Sequence, residues 1–533
     1  MRILLSSLFI WLTIAASNVL ALDTDAVRKL ATGDSDERTT AIAALLAEGD
    51  ARARDVMQAL TNSELFVAGE RILIVRGEQA TDALTGETVT PVPEPREEVG
   101  INNRLRRELG GAIAALDLVS PDTKRRRAAV DALGDNADPS VLPLVKKAMQ
   151  IESDPKLKSA LGLVQAKLEI KSPDRNTRLA AIKLLGASDA AATKTLLLAV
   201  LEKNSDGSYV ETDSDLRNAA QQSLHDVEYR LAWAARISLA FSGLSLGSIL
   251  LLAALGLAIT YGLMGVINMA HGELIMIGAY ATYVVQSLFR THAPGAIDWY
   301  LPVAVPVAFV AAAAVGMILE RSVIRWLYGR PLETLLATWG ISLMLIQLVR
   351  TIFGAQNVQV ENPVWLSGGI EVMTNIVLPW NRIAIIFFAA AILIAMGLLL
   401  SRSRLGLFVR GVTQNRAMAS CMGVPTARVD TWAFGLGSGI AGLAGCALSQ
   451  IGNVGPDLGQ AYIVDSFMVV VLGGVGQLAG TVYAALGLGV VNKILESWSG
   501  AVLAKIAVLV FIIVFIQKRP QGMFALKGRA VEA

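Results

Sequence analysis

The sequence is poor in cysteine, histidine and charge. Its 533 residues include two cysteines and three histidines, and 17% of them are charged, compared with about 25% in ordinary soluble domains. Three histidines and two cysteines are too few for the usual metal-ligand clusters, so we predict no metal site. The formal net charge of +2 lacks the strongly basic balance of a nucleic-acid-binding protein. A hydrophobic share of 53% excludes a disordered or collagen-like chain.

The shortage of charge is confined to the second part of the chain. There are 47 Lys and Arg and 45 Asp and Glu, and about 28 of these charged residues lie after residue 236. Charged residues make up roughly 9% of the part after residue 236 and roughly 27% of the part before it. The contrast predicts a soluble domain at residues 22–228, a linker at residues 229–236 and a membrane domain at residues 237–533. Both cysteines lie in the apolar part, so no disulfide can form within the soluble domain.

The first 21 residues have the pattern of a secretory signal peptide. Met1-Arg2 supplies a positive start, and residues 3–16 form an apolar run shorter than the roughly 20 residues of a membrane span. The small-residue spacing at Val19 and Ala21 predicts cleavage after Ala21, which would export the soluble domain. The alternative is an uncleaved anchor helix.

The soluble domain contains a repeated helical pattern. The Ser-Pro-Asp sequences at residues 120–122 and 172–174 each precede apolar residues at helical spacing, and a weaker copy begins near Asp34. The pattern resembles HEAT-type helical repeats, and plain helical bundling is the alternative. Residues 65–76 alternate like a strand and residues 85–100 indicate a proline-containing loop, but the predicted fold class of the whole chain is all-α.

The apolar part contains nine runs, which predict about eight or nine transmembrane helices. The seventh and eighth runs flank a glycine-rich stretch and could instead form one broken or re-entrant element. The runs cover residues 237–262, 270–289, 301–320, 333–353, 383–400, 431–451, 463–475, 480–496 and 501–517.

Basic residues predict which ends of these helices face the cytoplasm. Arginines cluster at residues 321–330 and 402–428, and a Lys-Arg pair at residues 518–519 follows the last run. The loop at residues 354–380 contains two glutamates and neither Lys nor Arg. We therefore expect this loop and residue 236 to lie outside, and the basic clusters and the C-terminus to lie in the cytoplasm. The soluble domain is then periplasmic, in agreement with the signal peptide.

The densest polar stretch within the apolar part lies at residues 261–273. Its three glycines weaken a helix, and Asn268, His271 and Glu273 are costly in hydrocarbon unless they face a cavity or one another. A broken helix at membrane depth is the usual sign of a transport site. We therefore predict that this stretch lines the pathway, with Asn268 and His271 on one helix face. The alternative is that the three polar groups satisfy exposed backbone and hold two helices together.

A second glycine-rich break, at residues 473–480, is the predicted partner of the first. Gly473, Gly474 and Gln477 are its candidate pathway residues. Glycines also permit close packing of helices, which is the alternative interpretation.

The basic loop at residues 401–430 predicts a short helix between two spans. Thr413 is its predicted cap, residues 414–422 form the helix, and Gly423 ends it. One face is apolar and the other polar, which suits a groove on a partner protein or, alternatively, lipid head groups. The candidate coupling residues are Gln414, Asn415, Arg416, Met418, Cys421, Met422 and Gly423.

Motifs typical of enzymes are missing from the sequence. There is no G-x-x-x-x-G-K-[ST] phosphate loop and no H-E-x-x-H, and Ser438 has no histidine after it to act as a base. We therefore predict no catalytic residue and no cofactor bound by this chain.

Four segments of the apolar part share their motifs with a known transporter family. They are Asn268-Met269-Ala270-His271-Gly272-Glu273, Val471-Leu472-Gly473-Gly474-Val475-Gly476, the capped loop that ends at Gly423, and Arg519-Pro520-Gln521-Gly522-Met523-Phe524. Together they resemble the branched-chain amino acid type of ABC permease. An exported helical domain ahead of such a permease is similar to the longer permease subunit of urea ABC importers.

The resemblance implies an importer in the bacterial inner membrane that works with several partners. A periplasmic solute-binding protein delivers solute to two permease subunits, and two ATPase subunits beneath them hydrolyse ATP. This chain is then one permease subunit in contact with membrane lipid, and urea is its expected solute. The first alternative is a permease for branched-chain amino acids or short amides. The second is an ATP-independent channel or a membrane-anchored interaction protein.

Overall fold

The computed structural model describes residues 22–48, 50–77, 79–135, 138–373 and 376–524. The predicted signal peptide, residues 1–21, lies outside these ranges. Contacts divide the chain into two units, Met1–Leu231 and Ala232–Ala533. The division falls inside the stretch that the sequence indicated as a linker, and residues 229–236 are helical.

The first unit is built from helices and a small sheet. Its helices are α1 (Thr24–Thr32), α2 (Ser35–Glu48), α3 (Ala51–Thr61), α4 (Asn103–Asp117), α5 (Thr123–Asp135), α6 (Leu142–Ile151), α7 (Pro155–Glu169), α8 (Arg175–Leu185) and α9 (Ala191–Val200). Its strands are β1 (Leu65–Ala68), β2 (Arg71–Arg76), β3 (Gln79–Asp82), β4 (Thr88–Val89) and β5 (Glu97–Glu98).

The sheet shows that the prediction of an all-α chain is wrong for this unit. The five strands are antiparallel neighbours in the order β4-β3-β2-β1-β5. Ile72 and Ile74 of β2 pack into the main core with the helices, whereas Leu73 and Val75 pack on the other face against Val89. The predicted proline-containing loop therefore contributes two short strands and covers the second face of the sheet.

The two repeated stretches adopt the same local structure. Asp122 and Asp174 each accept a hydrogen bond from a backbone N–H in the first turn of the following helix, at 2.9 and 2.8 Å. Arg126 and Arg178 each donate to the carbonyl of the serine that opens the motif, at 3.1 and 2.9 Å. This shared geometry agrees with a repeated unit, and its assignment to the HEAT class stays a prediction.

The second unit is a bundle of helices with one hairpin. Its helices are α10 (Ser214–Met264), which crosses the division between the units, α11 (His271–His292), α12 (Tyr300–Ser322), α13 (Pro331–Phe353), α14 (Trp380–Arg402), α15 (Arg404–Gln414), α16 (Arg416–Cys421), α17 (Thr426–Ser449), α18 (Leu458–Gly473), α19 (Leu478–Ser499) and α20 (Ala501–Lys518). Strands β6 (Gly369–Met373) and β7 (Ile376–Pro379) form the hairpin, within the stretch that the sequence indicated as a loop.

Seven helices in the described part of the chain are long and apolar enough to cross a membrane, namely α10, α12, α13, α14, α17, α19 and α20. The two remaining apolar runs fall on α11 and the shorter α18. Residues 474–477 interrupt the helix between α18 and α19, and the interpretation of the two runs as one broken or re-entrant element stays a prediction. The chain is thus a multi-pass membrane protein.

Polar contacts distinguish the two ends of the bundle. Near the start of α17, Arg325 Nη2 lies 3.3 Å from Thr431 Oγ1. Just beyond the end of α17, Gln450 accepts hydrogen bonds from Tyr300 at 3.1 Å and from Asn381 at 3.0 Å. The two arginine-rich clusters therefore meet at one end, and the loop at residues 354–380 lies at the other. The side of the membrane that each end faces stays a prediction.

One buried ion pair in the first unit gives a testable dependence of stability on pH. Glu152 accepts from Arg126 Nε at 2.8 Å and from the backbone N–H groups of Ser153 and Asp154 at 2.9 and 3.0 Å. The hydrogen bond from Arg126 is the main cause that holds the pKa of Glu152 below its usual value. The carboxylate therefore stabilises the fold above about pH 4.3, the usual pKa of a glutamate. This contribution is lost as the pH falls through the lower pKa that Glu152 has in the folded protein.

We expect Glu152→Gln to increase hydrogen–deuterium exchange in α5 and α7 at pH 7. Because acid protonates the wild-type carboxyl as well, the difference between the two proteins should shrink below about pH 4. Asp25→Asn is the control, since Asp25 pairs with Lys29 on an exposed surface. An equal difference at pH 7 and at pH 3 would contradict the role given to the Glu152 charge.

Candidate substrate pathway and coupling segment

The structure interrupts the helix at the first predicted break. Helix α10 ends at Met264 and α11 begins at His271, and the residues between them are not helical. Gly265 has a φ of 64°, in the left-handed region that glycine adopts without a steric penalty. The break brings the start of α11 into the interior of the bundle.

The three polar residues of this break are buried and partly hydrogen-bonded. Asn268 is 2% exposed, and its Oδ1 accepts from the backbone N–H of Ala270 at 3.0 Å. His271 is fully buried, and its Nε2 lies 3.0 Å from the carbonyl oxygen of Ala253, which requires the proton on Nε2. Glu273 is 2% exposed and accepts from the Ser342 hydroxyl at 2.7 Å. The backbone and α13 thus fix the orientation of all three side chains.

Each of these side chains keeps one buried polar atom without a hydrogen-bond partner among the described residues. These atoms are Asn268 Nδ2, His271 Nδ1 and Glu273 Oε2, and the Tyr280 and Ser438 hydroxyls share this property. An unpaired buried polar atom costs about 1–3 kcal/mol, so such a group is normally met by water or a polar ligand. The start of α11 is therefore suited to receive a small polar molecule.

The predicted common helix face of Asn268 and His271 is wrong. Asn268 lies in the non-helical stretch, and its carbonyl accepts from the His271 N–H at 3.4 Å. Because the helix begins only at His271, helical spacing does not apply to this pair. The two side chains are held by the turn that leads into α11.

The second predicted break is also present, between α18 and α19. Gly474 and Gly476 have positive φ values of 100° and 77°. A Cβ on Gly473 would lie 2.5 Å from the carbonyl carbon of Gly480, and a Cβ on Gly474 would collide with the carbonyl of Phe524. Gly473 and Gly474 therefore serve close backbone packing, as the alternative interpretation of the glycines proposed.

The two breaks meet at glycines rather than at their polar residues. A Cβ on Gly262 would lie 2.6 Å from Gly476 Cα. The backbone carbonyl of Gln477 accepts from the Thr481 N–H at 3.0 Å, and its half-exposed side chain makes no described contact with Asn268, His271 or Glu273. Gln477 is therefore a weaker pathway candidate than the residues at the start of α11.

The start of α11 instead touches the start of α18. A Cβ on Gly272 would lie 2.7 Å from the carbonyl oxygen of Gly459, so the two backbones are in direct contact. Two helix N-termini, each with a partial positive charge, thus converge beside Glu273. Discontinuous helices of this kind form the substrate sites of many transporters.

Two residues of α13 also belong to this site, although they lie outside both glycine-rich breaks. Thr338 accepts from the Met269 N–H at 3.2 Å, and Ser342 donates to Glu273. Both are buried, as is Thr334 one turn earlier. The detectable signal was the spacing of four between hydroxyl residues along an apolar span, which places them on one face.

A cavity of about 250 Å³ lies at the end of the bundle that carries the loop at residues 354–380. Helices α12, α14 and α17 form it, and most of its lining is apolar. Its polar lining residues are Asn381 and Gln450, and Cys446 also contributes. The lining includes Leu301, Val305, Ile385, Phe388 and Ala447.

The coupling segment consists of α15, α16 and a cap between them. Asn415 is the cap of α16, since its Oδ1 accepts from the Met418 N–H at 2.9 Å, and Gln414 is the last residue of α15. The predicted cap Thr413 is therefore wrong, because its hydroxyl bonds the carbonyl of Arg410 in the preceding turn. Gly423, with a φ of 84°, follows the helix as predicted.

Helix α16 presents apolar side chains outward and a charge inward. Met418 and Met422 are 61% and 78% exposed, and Cys421 is exposed beside them. On the opposite side Arg416 pairs with the buried carboxylate of Asp430, with Nη1 3.3 Å from Oδ1. An exposed apolar face on a capped helix between two spans is suited to a groove on another protein.

Comparison with known proteins defines the family of this membrane protein. The family model described as "Branched-chain amino acid transport system / permease component" matches residues 239–517. The chain belongs to this family. No solved structure matches it significantly.

Three relatives illustrate the similarity. The high-affinity branched-chain amino acid transport system permease protein LivH of Salmonella typhimurium is 29% identical over 292 residues, which are 53% of this chain and 93% of LivH. BraD of Pseudomonas aeruginosa, described in the same words, is 27% identical over 288 residues, with the same coverage of both chains. LivM of Escherichia coli, again so described, is 26% identical over 305 residues, which are 52% of this chain and 68% of LivM.

The contact between Gly272 and Gly459 predicts that neither position tolerates a methyl group. We expect Gly272→Ala to lower the yield and the unfolding temperature of the detergent-solubilised protein, because overpacking against backbone typically costs about 1–3 kcal/mol. Gly340→Ala on α13 is the matched control, since a Cβ there meets nothing within 4 Å. Equal unfolding temperatures for the two variants would contradict the close approach of α11 and α18.

Proposed function

We propose that the chain is a permease subunit of an ABC importer that moves a small solute across the bacterial inner membrane. The observation that carries this proposal is the start of α11, where three buried polar side chains each keep an unpaired atom inside an apolar bundle. Such an arrangement is costly in a purely structural bundle, and it is useful where a polar solute must cross. Because Gly272 and Gly459 are in contact, passage requires the starts of α11 and α18 to separate.

Two features indicate the partners of this chain: its sequence lacks a phosphate-binding loop, and α16 exposes apolar side chains. The sequence has no phosphate-binding loop, so the energy of ATP must come from other subunits. We propose that one of two ATPase subunits binds the exposed face of α16 in the cytoplasm. A second permease subunit completes the pathway, and a periplasmic binding protein delivers the solute. In this orientation the first unit is periplasmic and the C-terminus is cytoplasmic.

A branched-chain amino acid is the first candidate solute. LivH and BraD, which this chain resembles over 93% of their length, are described as parts of branched-chain amino acid transport systems. The local chemistry suits such a zwitterion, since the Glu273 carboxylate can pair with an ammonium group and two helix N-termini can attract a carboxylate.

Urea is the second candidate, and the architecture of the chain favours it. The match to the amino acid permeases covers about half of this chain, and the family model begins at residue 239. A helical unit ahead of the permease part resembles the arrangement of the longer permease subunit of urea importers, and this resemblance is the support for urea. A neutral solute needs hydrogen-bond partners, which Asn268 Nδ2 and His271 Nδ1 can supply.

The proposal predicts ATP-dependent uptake by the assembled importer. In proteoliposomes that contain this chain, a second permease subunit, the ATPases and the binding protein, we expect radiolabelled leucine to accumulate and ATP to be hydrolysed. The chain alone should do neither. Accumulation of urea without leucine would assign the second candidate, and uptake that persists without the ATPase subunits would favour a channel.

Asn268 offers a direct test of the pathway. Asn268→Leu removes both the unpaired Nδ2 and the acceptor for the Ala270 N–H, so we expect uptake to fall about tenfold, as for the loss of about 1.4 kcal/mol. Because the buried Ala270 N–H also loses its acceptor, uptake is divided by the abundance of the protein in the membrane, measured on the same samples. Asn492→Leu, at a half-exposed position on α19, is the matched control. Full uptake by Asn268→Leu at normal abundance would remove this residue from the pathway.

A further inference from the structure

Two carboxylates are buried at the end of the bundle that carries the coupling segment. Glu320, near the end of α12, and Asp430, near the start of α17, are both fully buried. Asp430 pairs with Arg416 of α16. Glu320 accepts from the Thr431 hydroxyl at 2.7 Å and lies 3.5 Å from Arg325 Nη2. Removing one partner of a buried charge is strongly destabilising, so separation of these contacts would be costly.

Tyr328, in the loop between α12 and α13, joins these groups. Its ring lies 4.8 Å from the Arg416 guanidinium, in a cation–π contact. Its hydroxyl lies 3.2 Å from Glu320 Oε1 and 2.9 Å from Met264 Sδ, and its single proton can be donated to either acceptor. Burial, followed by the charges of Asp430 and Glu320, raises the pKa of Tyr328, so the phenol keeps its proton.

Met264 connects this cluster to the pathway. It is the last residue of α10, and the helix break that holds Asn268 begins at the next residue. Val266, inside the break, is 5% exposed and packs with Ile324 and Phe434, and Met264 and Tyr328 pack against the same group. The loop that carries Tyr328 therefore contacts α16 on one side and the break on the other.

We propose that Tyr328 is a positioning residue that transmits the position of α16 to the helix break at residues 265–270. This inference rests on the proposed function, in which ATPase subunits move α16. A displacement of Arg416 shifts the Tyr328 ring, and the hydroxyl contacts carry that shift to Glu320 and to the end of α10. The result is a contiguous set of protein contacts from the docking helix to the polar residues at the start of α11.

Tyr328→Phe tests this role because it removes the hydroxyl and keeps the ring beneath Arg416. In proteoliposomes with the complete importer, we expect the amount of radiolabelled leucine or urea moved per ATP hydrolysed to fall about fivefold or more, the scale of a typical coupling between sites. ATP hydrolysis and assembly of the complex should remain. Tyr483→Phe is the matched control, since that ring stacks on Phe524 at a centroid distance of 5.8 Å and is 66% exposed.

The ratio of transport to hydrolysis separates transmission from a merely structural role. Loss of structure lowers both rates together, whereas loss of transmission lowers transport at constant hydrolysis. An unchanged ratio for Tyr328→Phe overturns the inference while leaving the proposed function intact. Failure of the wild-type importer to move either solute with ATP overturns the proposed function itself.

Met264→Leu is a second test of the contact between the Tyr328 hydroxyl and the Met264 sulfur. It removes the sulfur acceptor and keeps an apolar side chain of similar size, so folding should be preserved. We expect a lower ratio in this variant too, and a normal ratio would overturn the inference even where Tyr328→Phe fails to assemble.

Discussion

Direct contact between helix backbones at glycine residues holds the centre of the membrane unit together. Gly437, Gly442 and Gly445 of α17 contact the backbones of α10, α12 and α11 respectively. In lipid, helices gain little from hydrophobic association, so close packing and hydrogen bonds supply the attraction between them. Helices that approach this closely leave little room for large side chains. Polar groups placed among them must be met by other protein groups or by a ligand.

The interrupted helix at the start of α11 is tolerated because its exposed backbone groups find partners nearby. The N–H of Met269 reaches Thr338, and the N–H of Ala270 reaches the side chain of Asn268. These two backbone groups are satisfied, while part of each polar side chain stays unpaired. The hydrogen-bonded backbone groups keep the break in place, whereas the unpaired side-chain atoms are the ones that we propose bind the solute. It also explains why α13, an otherwise apolar span, carries hydroxyl residues on one face.

Local features of the molecule were predictable from the sequence, and contacts between distant residues were not. The fall in charge near residue 236 lies close to the division between the units, because segments within a membrane contain few charged residues and water-exposed surfaces contain many. The turn at Gly423 was predictable because a glycine with positive φ commonly follows the end of a helix. The cap was assigned to Thr413 instead of Asn415, since both residue types can cap and the extent of α15 decides between them. The contact of Tyr328 with Met264 joins residues that are 64 positions apart, and no periodicity indicates it.

The sheet illustrates the same limit in the first unit. The alternation at residues 65–76 indicated a strand, but a strand needs neighbours, and β3, β4 and β5 are too short and polar to stand out. Their pairing becomes evident only when both faces of β2 are seen to be buried.

The two cysteines differ in a way that gives the molecule a natural reporter. Cys446 is 2% exposed among the apolar walls of its cavity, whereas Cys421 lies exposed on α16. A thiol-directed dye therefore has one accessible attachment point in the unaltered chain, on the helix that we propose meets the ATPases. The fluorescence of such a dye follows that contact in real time without any engineered residue.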